Sequence, residues 1–110
     1  MFLAAITGIC LASHTPGFDP LWRADGFDNP ESVIADGRGG YVVSNVNGAG
    51  AEANGEGYLT RLDAAGAVVG ARRWAGGLNA PKGLALANGR LYVTDIDSLV
   101  AIDPQDGRIL

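Results

Sequence analysis

The residue types that most often carry chemistry are scarce in this sequence of 110 residues. His14 is the single histidine and Cys10 is the single cysteine. One thiol cannot form a disulfide within the chain, and there is no cluster of cysteine and histidine to bind zinc. A histidine general base would have to be His14, which lies in a Pro- and Gly-containing segment typical of a solvated linker. No Gly-x-Ser-x-Gly element is present, so the sequence does not support a serine hydrolase.

Carboxylate and carboxamide side chains therefore remain the main candidates for a site. Asn45, Asn47, Gly50 and Glu56 fall at positions one, three, six and twelve of a calcium-loop spacing. The fit is partial, because position one is not aspartate, position five is Ala49 and no helices flank the loop. The competing interpretation is a surface loop, such as a lid. Its glycines do not form a phosphate loop, since no Gly-Lys-Ser/Thr follows them.

The charge and the N-terminal segment limit the partners and the location. The net charge is −4 and no basic run is present, so the sequence predicts no binding to nucleic acid or to anionic membranes. The apolar stretch Phe2–Ala12 is too short for a membrane-spanning helix. It is similar to the core of a secretory signal, but it lacks a preceding Lys or Arg and a clear cleavage site. A secreted or periplasmic location and a cytoplasmic one both stay open.

An internal repeat is the strongest feature of the sequence. In each copy a proline, Pro30 or Pro81, opens an apolar run, a Gly-containing turn follows, and a second apolar run ends at Asn45 or Asp95. Without the insert Val46–Gly57, the repeat is roughly 40 residues long, the length of a four-stranded propeller blade.

Short β-rich runs separated by Gly-containing turns predict strands throughout the repeat, and no helical periodicity interrupts them. Asn88-Gly89 is the best hairpin signal. Asp63 begins an Asp-x-x-Gly turn, Asp103 begins the corresponding turn with one more residue before its glycine, and both are predicted to be structural. The predicted strands are 31–35, 40–45, 58–63, 67–74, 83–87, 90–95 and 98–103, with another beginning at 108.

This pattern predicts an all-β chain that forms about two four-stranded antiparallel blades of a β-propeller. The expected organisation is an apolar segment at 1–17, a linker with a lead-in strand at 18–28, a first blade at 29–78 and an incomplete second blade at 79–110. A propeller needs 4–8 blades to close, so further blades are expected beyond this chain.

The repeat resembles a known family of propellers. Pro81-Lys82-Gly83-Leu84-Ala85-Leu86, then Gly89–Asp95 and Leu99–Asp103, are similar to blades of the SMP-30/gluconolactonase/LRE-like family, and NHL-type propellers have a similar blade. The resemblance implies a six-bladed propeller with a central channel. It also implies a bound divalent cation (Ca, Mg or Mn) and hydrolysis of a small-molecule sugar lactone or related ester. The alternative is a non-catalytic propeller that binds a ligand or a protein through its channel face.

Four residues are the candidates for the channel. The resemblance implies that Glu31, just after Pro30, is a metal ligand; the alternative is a solvated charge at a strand start. Lys82 holds the equivalent position in the second copy. Asn45 and Asp95 are equivalent strand ends, which favours side chains that bind nearby backbone amides, although they are also candidates to line the channel.

Overall fold

The computed structural model describes Gly17 and residues 19–110, and this part of the chain is all β with no helix. Neighbouring strands pair antiparallel in two sheets, of order β1-β2-β3-β4 and β5-β6-β7. The predicted all-β class is confirmed. The strands are β1 Pro30–Ala35, β2 Tyr41–Asn45, β3 Gly57–Leu62, β4 Ala75–Leu78, β5 Pro81–Ala87, β6 Arg90–Asp95 and β7 Ser98–Ile102.

The N-terminal features singled out in the sequence, His14, Cys10 and Phe2–Ala12, lie outside the described residues. Among the residues that are described, no helix is long and apolar enough to cross a membrane.

The turns between strands are formed by residues that adopt positive φ angles and by aspartate side chains that bind the turn amides. Asn88 and Gly89 have φ angles of 52° and 73° and join β5 to β6 as a two-residue hairpin, as predicted. Asp63 accepts hydrogen bonds from the amides of Ala65 and Ala67, at 2.9 and 3.0 Å. Asp103 accepts one from the Gln105 amide at 2.9 Å, so the structural role predicted for both aspartates is confirmed.

The two sheets repeat the same pairing residue by residue. Pro30 pairs with Asn45 in the first sheet, and Pro81 pairs with Asp95 in the second. The isolated bridge between Leu62 and Val68 has its counterpart between Ile102 and Ile109. The shared antiparallel meander predicted from the repeat is therefore present in β1–β3 and in β5–β7.

The outer strand of the first sheet differs from the prediction. The expected strand 67–74 is reduced to the bridge at Val68, and β4 begins only at Ala75. Gly70, with φ 72°, turns the chain away from β3, and the Arg72 carbonyl accepts a hydrogen bond from Thr60 Oγ1 at 2.7 Å. The chain then returns to pair with β3 as β4. The lead-in strand predicted within 18–28 is not formed in the described residues 19–28.

The core lies between the two sheets. Its buried side chains come from one face of each sheet, and Ile34, Trp74, Leu84 and Val100 pack around them. The edge strands β1 and β5 lie next to each other at this interface. The opposite face of the first sheet is covered by the segment before β1, where the Trp22 ring meets Tyr41 edge-on at 5.5 Å. The core residues are Val42, Leu59, Ala75, Leu78, Leu91, Val93 and Ile102.

Candidate functional site

The four candidate residues lie at one end of the two sheets. The registers place Pro30 beside Asn45 and Pro81 beside Asp95, and the short connection from β4 to β5 keeps both pairs at the same end. We call this the proline end. Glu31 and Lys82 follow the two prolines directly, so the repeat itself brings all four candidates to this end.

Glu31 lies at an irregularity in the edge strand β1. Pro30 pairs with Asn45 and Ser32 with Ser44, which leaves Glu31 without a partner residue in β2. Such a bulge redirects a side chain and is common beside active sites. The Glu31 side chain is exposed, and it makes no hydrogen bond or ion pair with any residue that the structure describes. A shallow cavity of about 230 Å³, lined also by Ser32, Val33 and Val43, adjoins it.

Lys82 lies at the equivalent irregularity in β5, between the pairs Pro81–Asp95 and Leu84–Val93. Its Nζ donates hydrogen bonds to the Gly50 carbonyl and, at 3.2 Å, to the Ala80 carbonyl. The lysine therefore ties the insert of the first copy to the start of the second sheet. The equivalence of Glu31 and Lys82 in the repeat holds in the structure, but their side chains have different surroundings.

Asn45 and Asp95 are buried, with 0% and 6% of their surface exposed. Asn45 Oδ1 accepts a hydrogen bond from the Asp28 amide at 3.2 Å. The Asp95 carboxylate accepts from the amides of Asn79 and Ala80, at 2.8 and 2.6 Å. In both copies the strand-end side chain therefore holds the chain that leads into the first strand of its sheet. The predicted amide-binding role is confirmed for both residues.

The insert Val46–Gly57 forms a loop at the proline end and runs into β3 at Gly57. Asn47 Nδ2 donates to the Glu56 carbonyl at 3.1 Å, and the Glu56 carboxylate pairs with Arg73 at 3.4 Å. Asn45, at position one of the calcium-loop spacing, is buried in the sheet, and its Oδ1 accepts a hydrogen bond from the Asp28 amide instead of facing the loop. The partial calcium-loop interpretation is therefore wrong for this arrangement, and the surface loop is what the structure shows.

The arrangement of acidic, histidine and cysteine side chains bears on whether the described residues include a divalent cation site. No three Asp, Glu, His or Cys side chains come together as a metal site within Gly17 and residues 19–110. Glu31 nevertheless fits the role of one ligand, since it is a free, exposed carboxylate of the hard type that calcium, magnesium and manganese prefer.

A larger cavity, of about 420 Å³, lies at the opposite end of the sheets, between the β1–β2 and β5–β6 turns. Arg38 and Arg90 line it together with Asp36 and Asp103, so its charges balance. Asp36 Oδ1 already accepts amide hydrogen bonds from Arg38 and Gly40, at 2.7 and 3.0 Å. The aspartates are thus used to shape turns, and we place the candidate site at Glu31 instead.

A hydrogen bond between a buried tyrosine and an exposed aspartate is not indicated by the sequence. The Tyr58 hydroxyl donates to Asp28 Oδ2 at 2.5 Å, and the Arg73 guanidinium lies 4.7 Å from the centre of the Tyr58 ring. Burial and, after it, the Asp28 hydrogen bond raise the pKa of Tyr58 from 10.0 to about 12. The two residues are far apart in sequence and in no motif, so no local signal indicates the contact.

The raised pKa of Tyr58, which is hydrogen-bonded to Asp28, leads us to expect a loss of stability at alkaline pH. Because the folded state raises the pKa of this phenol, its stabilising contribution is complete below pH 10 and is lost as the pH rises towards about 12. In an ultraviolet titration, one of the three tyrosines should ionise late, and Tyr58→Phe should remove that late step. Ionisation of all three together near pH 10 would contradict the assignment.

In a comparison with known proteins, no family model, no curated protein and no solved structure matches the chain.

Proposed function

We propose that the chain forms two adjacent blades of a six-bladed β-propeller similar to the SMP-30/gluconolactonase/LRE-like family. The proposal is supported by two antiparallel meanders of equal register that stack face to face. It is supported further by β1 and β5, the first strands of the two sheets, which lie side by side as channel-lining strands of neighbouring blades do. The proline end is then one mouth of the channel.

Within that propeller, we propose that Glu31 is one ligand of a divalent cation in a hydrolase of sugar lactones or related esters. The observation that carries this assignment is the bulge, which leaves an exposed and unpaired carboxylate on the edge strand at the channel mouth. A bound cation would polarise the carbonyl of the substrate and lower the pKa of a water molecule. Glu31 contributes negative charge and a carboxylate oxygen to that site, and the other ligands come from other blades.

A second function has its own supporting observation. Lys82 occupies the equivalent bulge and binds the carbonyls of Gly50 and Ala80, so the bulge also serves to fasten the insert above the channel mouth. A propeller that uses this mouth to bind a ligand or a protein without catalysis would need such an ordered loop as much as an enzyme would.

Charge removal at Glu31 distinguishes the two functions. In the complete propeller, Glu31→Gln should weaken calcium or manganese binding by roughly tenfold or more, because a hard cation loses one anionic ligand. Lactone hydrolysis should fall with it. Asp97→Asn is the matched control, since Asp97 is exposed and its carboxylate accepts only a local hydrogen bond from Ser98.

Circular dichroism establishes that each variant is folded. Unchanged metal affinity in folded Glu31→Gln would exclude Glu31 from the site. If the unmodified propeller binds no divalent cation at all, the non-catalytic function would be the better account.

A further inference from the structure

Each sheet has a face made of equivalent residues of the repeat. In the first sheet this face is covered by the second sheet, whereas in the second sheet it is exposed. The register places Val42, Ser44 and Leu59 on the face of the first sheet that packs against the second sheet. Their counterparts, Tyr92, Thr94 and Leu99, lie on the outer face of the second sheet. We call this surface the outer face.

Ser44 and Thr94 are equivalent hydroxyl residues on the two faces, and their hydrogen bonds differ. Ser44 Oγ accepts a hydrogen bond from the Ser32 amide at 3.1 Å and donates one across the interface to the Lys82 carbonyl at 2.7 Å. Thr94 Oγ1 accepts the equivalent bond from the Gly83 amide at 2.9 Å. Among the described residues, however, no carbonyl accepts its proton. Thr94 is exposed, so its hydroxyl proton faces solvent, whereas the Ser44 hydroxyl proton is bound within the interface between the sheets.

The equivalent leucines of the two faces also differ in their exposure. Leu59 is 0% exposed against the second sheet, whereas its counterpart Leu99 is 67% exposed. An exposed leucine alone carries little information, because single apolar residues are common on protein surfaces. Here Leu99 lies on β7 directly opposite Thr94, so the exposed leucine and the threonine hydroxyl are neighbours on the outer face.

We propose that the outer face is the docking surface for a third antiparallel sheet of the same repeat. That sheet packs on Tyr92 and Leu99 as the second sheet packs on Val42 and Leu59. The backbone carbonyl at the start of its first strand, equivalent to the Lys82 carbonyl, accepts the Thr94 hydroxyl proton. The proposal extends the blade arrangement proposed above, but it rests on the observed contact between the sheets and not on metal binding.

The test is an extended chain that continues the repeat in register. The Val69 amide donates to the Arg61 carbonyl at 2.9 Å, and the Leu110 amide donates to the Ala101 carbonyl at 2.9 Å. Leu110 is thus equivalent to Val69, and the chain that should follow it is a copy of residues 70–110. Appending this copy after Leu110 supplies a fourth strand for the second sheet and then a third sheet of three strands, equivalent to β5–β7.

Docking is measured by the reactivity of a cysteine at position 99. In a Cys10→Ser background, the Leu99→Cys thiol should react rapidly with a thiol reagent in the original chain. In the extended chain it should react more slowly by roughly tenfold or more, since access then requires local opening. Val33→Cys is the control, because Val33 is 60% exposed on the edge strand β1 and should stay equally reactive in both chains. In the extended chain, Thr94→Val should also lower the melting temperature more than it does in the original chain.

Three outcomes would overturn the proposal. One is a Leu99→Cys thiol that is as reactive in the extended chain as in the original one. Another is equal protection at positions 99 and 33, which would indicate aggregation. The third is protection of position 99 in the original chain that increases with protein concentration, which would assign the outer face to a second copy of this chain.

Discussion

Replacing Asp95 by alanine is expected to lower the free energy of unfolding by about 3 kcal/mol or more. The carboxylate is 6% exposed and accepts hydrogen bonds from two successive amides, those of Asn79 and Ala80. Alanine leaves both donors without a partner at the junction between the sheets, and each unpaired buried amide costs about 1–3 kcal/mol. Chemical denaturation followed by circular dichroism measures the loss.

Two variants sharpen this test. Asp95→Asn keeps one acceptor oxygen and recreates the residue found at the equivalent position 45, so it should lose less stability than the alanine variant. Asp97→Ala removes an exposed carboxylate two residues away and should change the free energy of unfolding by less than about 0.5 kcal/mol. Equal stability of Asp95→Ala and Asp97→Ala would mean that the carboxylate does not hold the second sheet to the first.

Gly57→Ala is expected to destabilise the chain by about 3 kcal/mol, through overpacking. A Cβ atom at Gly57 would overlap Pro81 Cδ and lie 2.7 Å from the Asn79 carbonyl oxygen. Both neighbours belong to the segment that joins the two sheets, and its backbone cannot move without disturbing the Asp95 hydrogen bonds. The melting temperature should fall accordingly.

Gly76 provides the matched control for this substitution. It also lies in a strand of the first sheet, but a Cβ atom there would have no neighbour within 4 Å. Gly76→Ala should therefore be neutral, or stabilising by up to about 1 kcal/mol because alanine restricts the unfolded chain. If Gly57→Ala were equally well tolerated, the close packing of β3 against the start of β5 would be wrong.

The elements that local chemistry determines could be predicted from the sequence. The Asn88-Gly89 hairpin follows from the positive φ angles that these residues adopt easily. The amide-binding roles of Asn45 and Asp95 follow from their position at strand ends, which the repeat makes visible twice. β6 was predicted with the bounds that the structure has.

The features that the sequence did not predict depend on contacts between distant segments. β4 was expected eight residues too early, because the turn at Gly70 is stabilised by a hydrogen bond from Thr60 that no local pattern reveals. The bulge at Glu31 depends on the register between β1 and β2, and the Tyr58–Asp28 pair depends on how the segment before β1 crosses the first sheet. In each case tertiary packing, and not residue type, decides the geometry.

The cation at Glu31 is the central functional claim, and diffraction tests it most directly. Crystals of the complete propeller that we propose, soaked with calcium and measured at a wavelength where calcium scatters anomalously, should show a peak about 2.3–2.6 Å from a Glu31 carboxylate oxygen. The same soak of Glu31→Gln crystals should show a weaker peak or none. A calcium peak in the channel without Glu31 among its ligands, or no peak in the channel at all, would contradict the assignment.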